Sequence, residues 1–276
     1  MTFDREITIA VGMNRRDIQW KNQKMKVSEL YGRLKNTLRS QETLSQFLAL
    51  KKNQQDNLKD IGGFVGGTLN SPHRRMECVI VHDLITLDFD NIPSWQTDAI
   101  IGSLDEMGCS YCAYSTRKHV PSAPRLRVVV PTDRPVSADE YEPIARRVAE
   151  KIGIGMADPT TFDNNRLMYW PSCCADSEAV YKAVDAPFLS ADEILTTYAD
   201  WHDFSTWPQV PGANNYQRMA QKQGEPTEKP GVVGLFCRTY DVFRAMEELI
   251  PGVYEETADP NRLTYAGGST TGGAIV

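Results

Sequence analysis

The 276-residue chain has no apolar run near the roughly 20 residues that a bilayer-crossing helix requires, so no membrane segment is expected. Its start, Met1–Glu6, lacks the basic-then-apolar pattern of a secretory signal. Cysteine is sparse: six in this length make no disulfide scaffold, and a reducing, cytoplasmic setting is the expectation. Cys109-x-x-Cys112 and the adjacent Cys173-Cys174 lack a second half at zinc-ligand spacing, so no zinc is expected. His73, His82, His119 and His202 never fall as His-x-His, which counts against a tyrosine–histidine nicking enzyme. The glycine cluster Gly62-Gly63-Phe64-Val65-Gly66-Gly67 lacks the Gly-Lys-Ser/Thr ending of a nucleotide P-loop. Internal repeats are missing too. Positive charge is in overall deficit, with a net charge of -6, which excludes a molecule coated in positive potential.

What is present is unevenly placed. Between Arg15 and Asp60 stand eleven Lys/Arg against five Asp/Glu. Such a stretch can follow a phosphate backbone while the whole molecule stays acidic, although a solvated helical face accounts for it equally well. Alternation predicts a strand over Glu6–Met13, and helical spacing predicts helices over Val27–Thr37 and Thr43–Leu58, with Ser28 and Ser40 as caps. Glu77–Asp90 reads as a strand. Pro93 opens a helix over Trp95–Met107. Ser110–Ser115 and Leu126–Val130 read as strands, and Ser137 caps a helix running to Lys151. Two more strands are expected at Arg166–Trp170 and Ala179–Val184, then a short helix at Ser190–Tyr198 with Ser190 and Glu193 at capping-box spacing. Residues 201–230, rich in Pro, Gln, Asn and Gly, read as a linker or long loop. A helix at Arg238–Leu249 and a strand at Arg262–Tyr265 follow, in a small accessory segment over 231–276 whose apolar end, Ala274-Ile275-Val276, suits a fragment of a longer protein. Helices and strands in this order suggest an α+β core with a mixed or antiparallel sheet.

The chemistry concentrates in three places. The apolar run Leu84-Ile85-Thr86-Leu87 ends in Asp88-Phe89-Asp90. Residues two apart on a strand share a face, with Cα atoms roughly 7 Å apart, so the two carboxylates can jointly hold a divalent cation. Arg125 and Arg127 share a face in the same way and make a fork suited to phosphates, unless they merely form surface ion pairs. Tyr114-Ser115-Thr116-Arg117-Lys118-His119 ends a strand in hydroxyls, cations and a histidine, while Asp158 and Asp163 offer a third acid ahead of Arg166. Three acids and a bank of cations suit phosphoryl or nucleotidyl transfer aided by two metal ions. Trp20, Tyr169 and Trp170 are stacking surfaces for bases or ordinary core residues; the glycine cluster is a turn or a close approach to a ligand.

In this order, the paired-acid strand, the later histidine, the Arg-x-Arg strand and the Asp-Pro acid resemble the archaeo-eukaryotic primase superfamily, the primase-polymerases. The fuller wording of Gly62–Gly67, Leu84–Asp90, Tyr114–His119, Pro124–Pro131 and Arg166–Ser172 is similar to the amino-terminal domain of virulence-associated E family proteins of phages and mobile elements. The resemblance implies an RRM-like catalytic core at about 71–200, an N-terminal αβ module at about 1–70 and a small helical C-terminal extension. It implies two Mg²⁺ or Mn²⁺ ions held by Asp88, Asp90 and Asp158, with Asp163 as the alternative third ligand. It implies a triphosphate site of Ser115, Thr116, Lys118, His119, Arg125, Arg127 and Arg166. The activity implied is template-dependent nucleotide addition on single-stranded or primed DNA, with nucleoside triphosphates as substrates and a helicase domain following this segment. Arg117 departs from the pattern, which has a small or hydroxyl residue two before the histidine. Either Ser115 and Thr116 serve in a looser register, or nucleotide binding is altered. A metal-dependent nuclease and a non-catalytic DNA-binding initiation module are the alternatives.

Overall fold

The computed structural model describes residues 1–213, 226–228, 231–257, 262–266 and 274–275. The chain falls into two units, Met1–Ala213 and Asn214–Val276. In the first, alternating apolar residues make β1 (Glu6–Gly12), whose Ile7, Ile9 and Ala10 are buried. It pairs antiparallel with β2 (Lys21–Lys26), a strand of KNQKMK with no apolar alternation to announce it. Helix α1 (Val27–Lys35) follows at once. Ser28 is not its cap: Lys26 occupies that position, its amide donating to Glu29 Oε2 at 2.9 Å, while Ser28 bonds to Asp4. After β3 (Leu38–Arg39), the expected single helix over Thr43–Leu58 is two, α2 (Leu44–Ala49) and α3 (Lys52–Lys59). Thr43 rather than Ser40 caps the first, and extended backbone at Leu50 and Lys51 breaks the run.

Strands β4 (Gly63–Val65) and β5 (Gly67–Leu69) are one residue apart yet belong to different sheets. The glycines allow this close threading. A Cβ on Gly63 would stand 2.3 Å from the Met168 carbonyl oxygen, and one on Gly67 2.1 Å from that of Val81. Strand β6 (Val79–Phe89) runs on to the paired acids. The next helix, α4 (Thr97–Glu106), starts later than Pro93. Trp95 holds a left-handed backbone, φ 65°, with its amide tied to the Pro121 carbonyl at 2.7 Å, so the helix cannot yet begin.

Strand β7 (Tyr111–Ser115) and β8 (Leu126–Ser137) come next, and β8 outruns its expected end at Val130 by seven residues. Helix α5 (Ala138–Ile152) is capped by Ser137, which exchanges bonds with Glu140. The short β9 (Met168–Tyr169), β10 (Ser172–Cys173), β11 (Tyr181–Val184) and α6 (Ala191–Leu195) complete the unit. Residues 201–213, expected as linker, pack onto this core. Val210 is buried, Trp201 and Ala213 join the same apolar cluster, and Arg146 donates to the Pro208 carbonyl at 2.8 Å. The remainder of the expected linker, 214–225 and 229–230, lies outside the described residues.

The central sheet has the order β11-β7-β8-β6-β5 and is antiparallel throughout. Both its faces are covered, which explains the near-continuous apolar run of β6. One face, with Ile85, Leu87, Phe89, Val128 and Val130, packs on α4, α5 and α6. The other, with Leu84, Cys112, Tyr114 and Val129, packs on α1 and on the second sheet, β2-β1-β4-β9. The fold is α+β, as expected.

The second unit carries α7 (Gly231–Thr239), α8 (Val242–Leu249), β12 (Tyr254–Glu256), β13 (Arg262–Tyr265) and β14 (Ala274–Ile275). The helix expected over Arg238–Leu249 is broken at Tyr240 and Asp241, where Asp241 caps α8.

Candidate functional site

The site is built where β6 and β8 end side by side. Their antiparallel register sets Asp88 opposite Arg127 and Phe89 opposite Leu126. Phe89 and Leu126 point into the helix-covered core, so Asp88 and Arg127 emerge together on the other face. Just beyond the strand ends, Asp90 meets Arg125, with 2.9 Å between Asp90 Oδ2 and the guanidinium. The two motifs, Asp-x-Asp and Arg-x-Arg, are therefore one structure read from opposite strands.

The third acid is sewn alongside. Asp158 donates its amide to the Asp88 carbonyl at 2.8 Å, and the Asp88 amide donates to Thr161 Oγ1 at 2.7 Å. Asp158 caps the 3₁₀ turn Pro159–Phe162, accepting from the Thr160 amide and hydroxyl with one oxygen. Its other oxygen lies 2.6 Å from Arg166 Nη2, which also contacts Asp88 Oδ2 at 3.1 Å. Asp163 lines the same cleft, but Asp158 is the acid that shares a cation with Asp88.

The cleft holds about 590 Å³. Its walls carry Asp88, Asp90, Asp158 and Asp163 against Arg125, Arg127, Arg166, Thr116 and Lys118. Arg15, Arg16, Lys52 and Lys59, from the basic stretch, also line it, as does Arg74. The uneven charge of the stretch was the signal for those four, although it could not show which cations face inward. Arg117 is half absorbed elsewhere. It pairs with Glu42, donates to Ser40 Oγ at 2.6 Å and lies over the Phe47 ring at 4.9 Å. Ser115 and His119 are not on the lining. Ser115 Oγ accepts from the Val180 amide, and buried His119 accepts the Arg125 amide on Nδ1 at 3.1 Å. The glycine cluster is also off the lining. Tyr169 and Trp170 do reach it, with Tyr169 under Lys59 and Arg127 at 5.5 Å each.

Crowding of like charge marks both sides of the site. Burial, and then the neighbouring Asp88, push the Asp90 carboxyl above its ordinary range against the pull of Arg125 and Arg127. Burial would raise Asp158 too, but Arg166 and the Thr160 bonds hold it low. Burial lowers Lys118, and Lys52, Arg125 and Lys59 lower it further. Burial likewise lowers His119 and favours its neutral ring.

Asp88, Asp90 and Asp158 offer a hard-oxygen donor set of the kind Mg²⁺ and Mn²⁺ prefer. One observation fits an ion directly: Asp88 Oδ1 is buried and makes no hydrogen bond. A buried carboxylate oxygen without a partner is costly unless a cation satisfies it. As placed, however, no three such side chains among the described residues converge on one ion-sized point. Arginines stand among the acids instead.

Fold and site together define an α+β domain whose two sheets meet over a cleft of clustered acids and phosphate-type cations. The family is more specific: the chain belongs to the VapE N-terminal domain family, whose model matches residues 1–210. Among solved structures it is similar to the AEP domain of the cyanophage S-2L primase-polymerase, at 13% identity and a TM-score of 0.37, covering 68% of this chain and 86% of that one. No curated protein matches it. Among the described residues, no helix is long and apolar enough to cross a membrane.

Proposed function

We propose that this chain is a primase-polymerase: a template-dependent nucleotidyltransferase that adds nucleotides to a DNA primer or starts a strand, in the replication of a phage or mobile element. The reading rests on one observation, the register that sets Asp88 against Arg127 and Asp90 beside Arg125, with Asp158 tied to the Asp88 backbone. Family membership is consistent with it. Two divalent ions, when held by Asp88, Asp90 and Asp158, would favour the attacking 3′-alkoxide and neutralise the departing pyrophosphate.

The chain's own residues do the rest. Arg125, Arg127, Arg166 and Lys118 bind the triphosphate and stabilise charge that builds on it. Arg127 is held in line by the Tyr169 carbonyl and ring. His119 acts from behind the lining, fixing the Arg125 backbone through Nδ1, and is a positioning residue. Arg15, Arg16, Lys52, Lys59 and Arg74 provide a cationic wall for a nucleic-acid backbone. The triphosphate-type cations disfavour the nuclease alternative, whose substrate brings no pyrophosphate.

The test is incorporation of labelled nucleotides on single-stranded and primed DNA with Mg²⁺ or Mn²⁺. Synthesis is expected from the intact chain and is expected to vanish in Asp88→Ala with Asp90→Ala. Unchanged synthesis in that variant, or strand degradation without pyrophosphate, would reject the assignment.

A further inference from the structure

The arginines at the site are not equivalent. Arg127 sits within β8, its side chain 12% exposed, its guanidinium pinned by the Tyr169 carbonyl and ring. Arg125 contacts Asp90 alone among the acids paired here. Arg166 lies on the turn between the 3₁₀ segment and β9, outside any strand, and its side chain is more exposed at 23%. Its Nη2 alone spans two acids, Asp88 and Asp158, holding their facing oxygens no farther apart than its two contacts combined. Its Nη1 reaches Thr160 Oγ1, and its buried Nε makes no hydrogen bond.

We propose that Arg166 is the resident counter-cation of the Asp88–Asp158 pair, and that it is surrendered to an incoming triphosphate so that divalent ions can take its place. This inference rests on the two-ion reading given above and deepens it. Among the ion-paired groups alone, three acids face three arginines, so that cluster is balanced before any ion enters. An ion added beside Arg166 would leave excess positive charge in a half-buried place, where it is poorly screened. An ion exchanged for Arg166 leaves one unit less of that excess, and the negative charge of the arriving triphosphate offsets the rest. The guanidinium needs a new partner when it leaves, and a triphosphate supplies planar, two-pronged recognition on the same cleft wall. Arg166, outside any strand and the more exposed of the two, has room to swing, whereas burial and the Tyr169 carbonyl and ring hold Arg127. Anion and metal should therefore assist each other, because each removes what obstructs the other.

One variant separates this from a merely structural role, because it should move two affinities in opposite directions. Arg166→Gln keeps polar bonding but removes the charge. In nucleotide-free full-length protein, its Mn²⁺ affinity, read by electron paramagnetic resonance, should rise about tenfold, at the lower end of the range usual for coupled sites. Its affinity for inorganic tripolyphosphate, read by calorimetry in excess chelator, should fall several-fold. Arg166→Lys, which retains the charge, should keep Mn²⁺ affinity near that of the parent. It also serves as the folding control. If Arg166→Gln leaves Mn²⁺ affinity unchanged or lowers it, while Asp88→Asn still abolishes binding, Arg166 is only a clamp and this inference is overturned with the two-ion reading intact. If Mn²⁺ binding in the parent is insensitive to Asp88→Asn, both are overturned.

Discussion

His82 stands in β6 among apolar neighbours, 1% exposed, its ring stacked on Tyr141 with centroids 3.9 Å apart. Neither ring nitrogen makes a well-formed hydrogen bond. Burial pushes its pKa down to about 3, and the Gly66 backbone opposes the shift only in part. The unfolded chain, by contrast, takes up a proton near pH 6.5. Stability from this residue is therefore complete above pH 6.5 and declines as pH falls through that value toward 3, by roughly 1.4 kcal/mol per unit. Urea midpoints measured between pH 7.5 and 5 should fall on the acid side. His82→Phe, which keeps the stack on Tyr141, should flatten that fall. An unchanged slope in the variant would show that other groups carry the acid sensitivity.

At the scale of elements, the site depends on how segments are stitched rather than on the acids alone. Thr161 Oγ1 is the acceptor for the Asp88 amide, and the turn it belongs to delivers Asp158. Thr161→Val keeps the shape and removes the acceptor, leaving a buried amide unsatisfied at a cost of about 1–3 kcal/mol. Thermal unfolding should show this loss, together with weaker Mn²⁺ binding; a neutral result would mean that the amide finds water. Gly63→Ala acts at the other sheet. A methyl 2.3 Å from the Met168 carbonyl must pry β4 from β9, and overpacking of this kind costs about 1–3 kcal/mol or more. Denaturant titration reads it directly.

These stitches also mark what was legible beforehand. Strand period 2 put Asp88 with Asp90 and Arg125 with Arg127, because that rule is local. It could not pair the two strands, whose register is a tertiary fact. Helix α5 was readable from its Ser137 cap, whereas β2 was not, since KNQKMK forms a strand only because β1 offers an edge to pair with. The helical pattern ran through Leu50 and Lys51 without a Gly or Pro to mark the break between α2 and α3. The resemblance implies Ser115 and His119 as triphosphate ligands; in the fold Ser115 Oγ accepts the Val180 amide and His119 Nδ1 the Arg125 amide. Depth behind a cleft wall has no signature in a single sequence.

At the scale of the whole molecule, a net charge of -6 and a cationic cleft coexist because the charges are sorted. Lys52, Lys59 and Arg15 gather around Asp56, whose carboxyl burial would raise but which Lys59 and Lys52 hold down at about 2. With Asp60 also paired to Arg15, two acids organise three cations on a wall that faces the cleft and leave a positive surplus there. On the proposed reading, the acidic remainder would disfavour nucleic acid elsewhere and this wall would receive it, so binding should be dominated by counterion release at a few contacts. Each lost phosphate contact lowers the slope of log affinity against log salt by about 0.7 for a single strand. For an oligothymidine titrated by fluorescence anisotropy across salt concentrations, Lys52→Ser with Lys59→Ser should reduce the slope by about 1.4. Lys24→Ser, whose side chain is exposed on β2 and paired with Glu6, should leave it unchanged. Equal effects from the two substitutions would mean that the strand follows general surface charge and not the cleft wall.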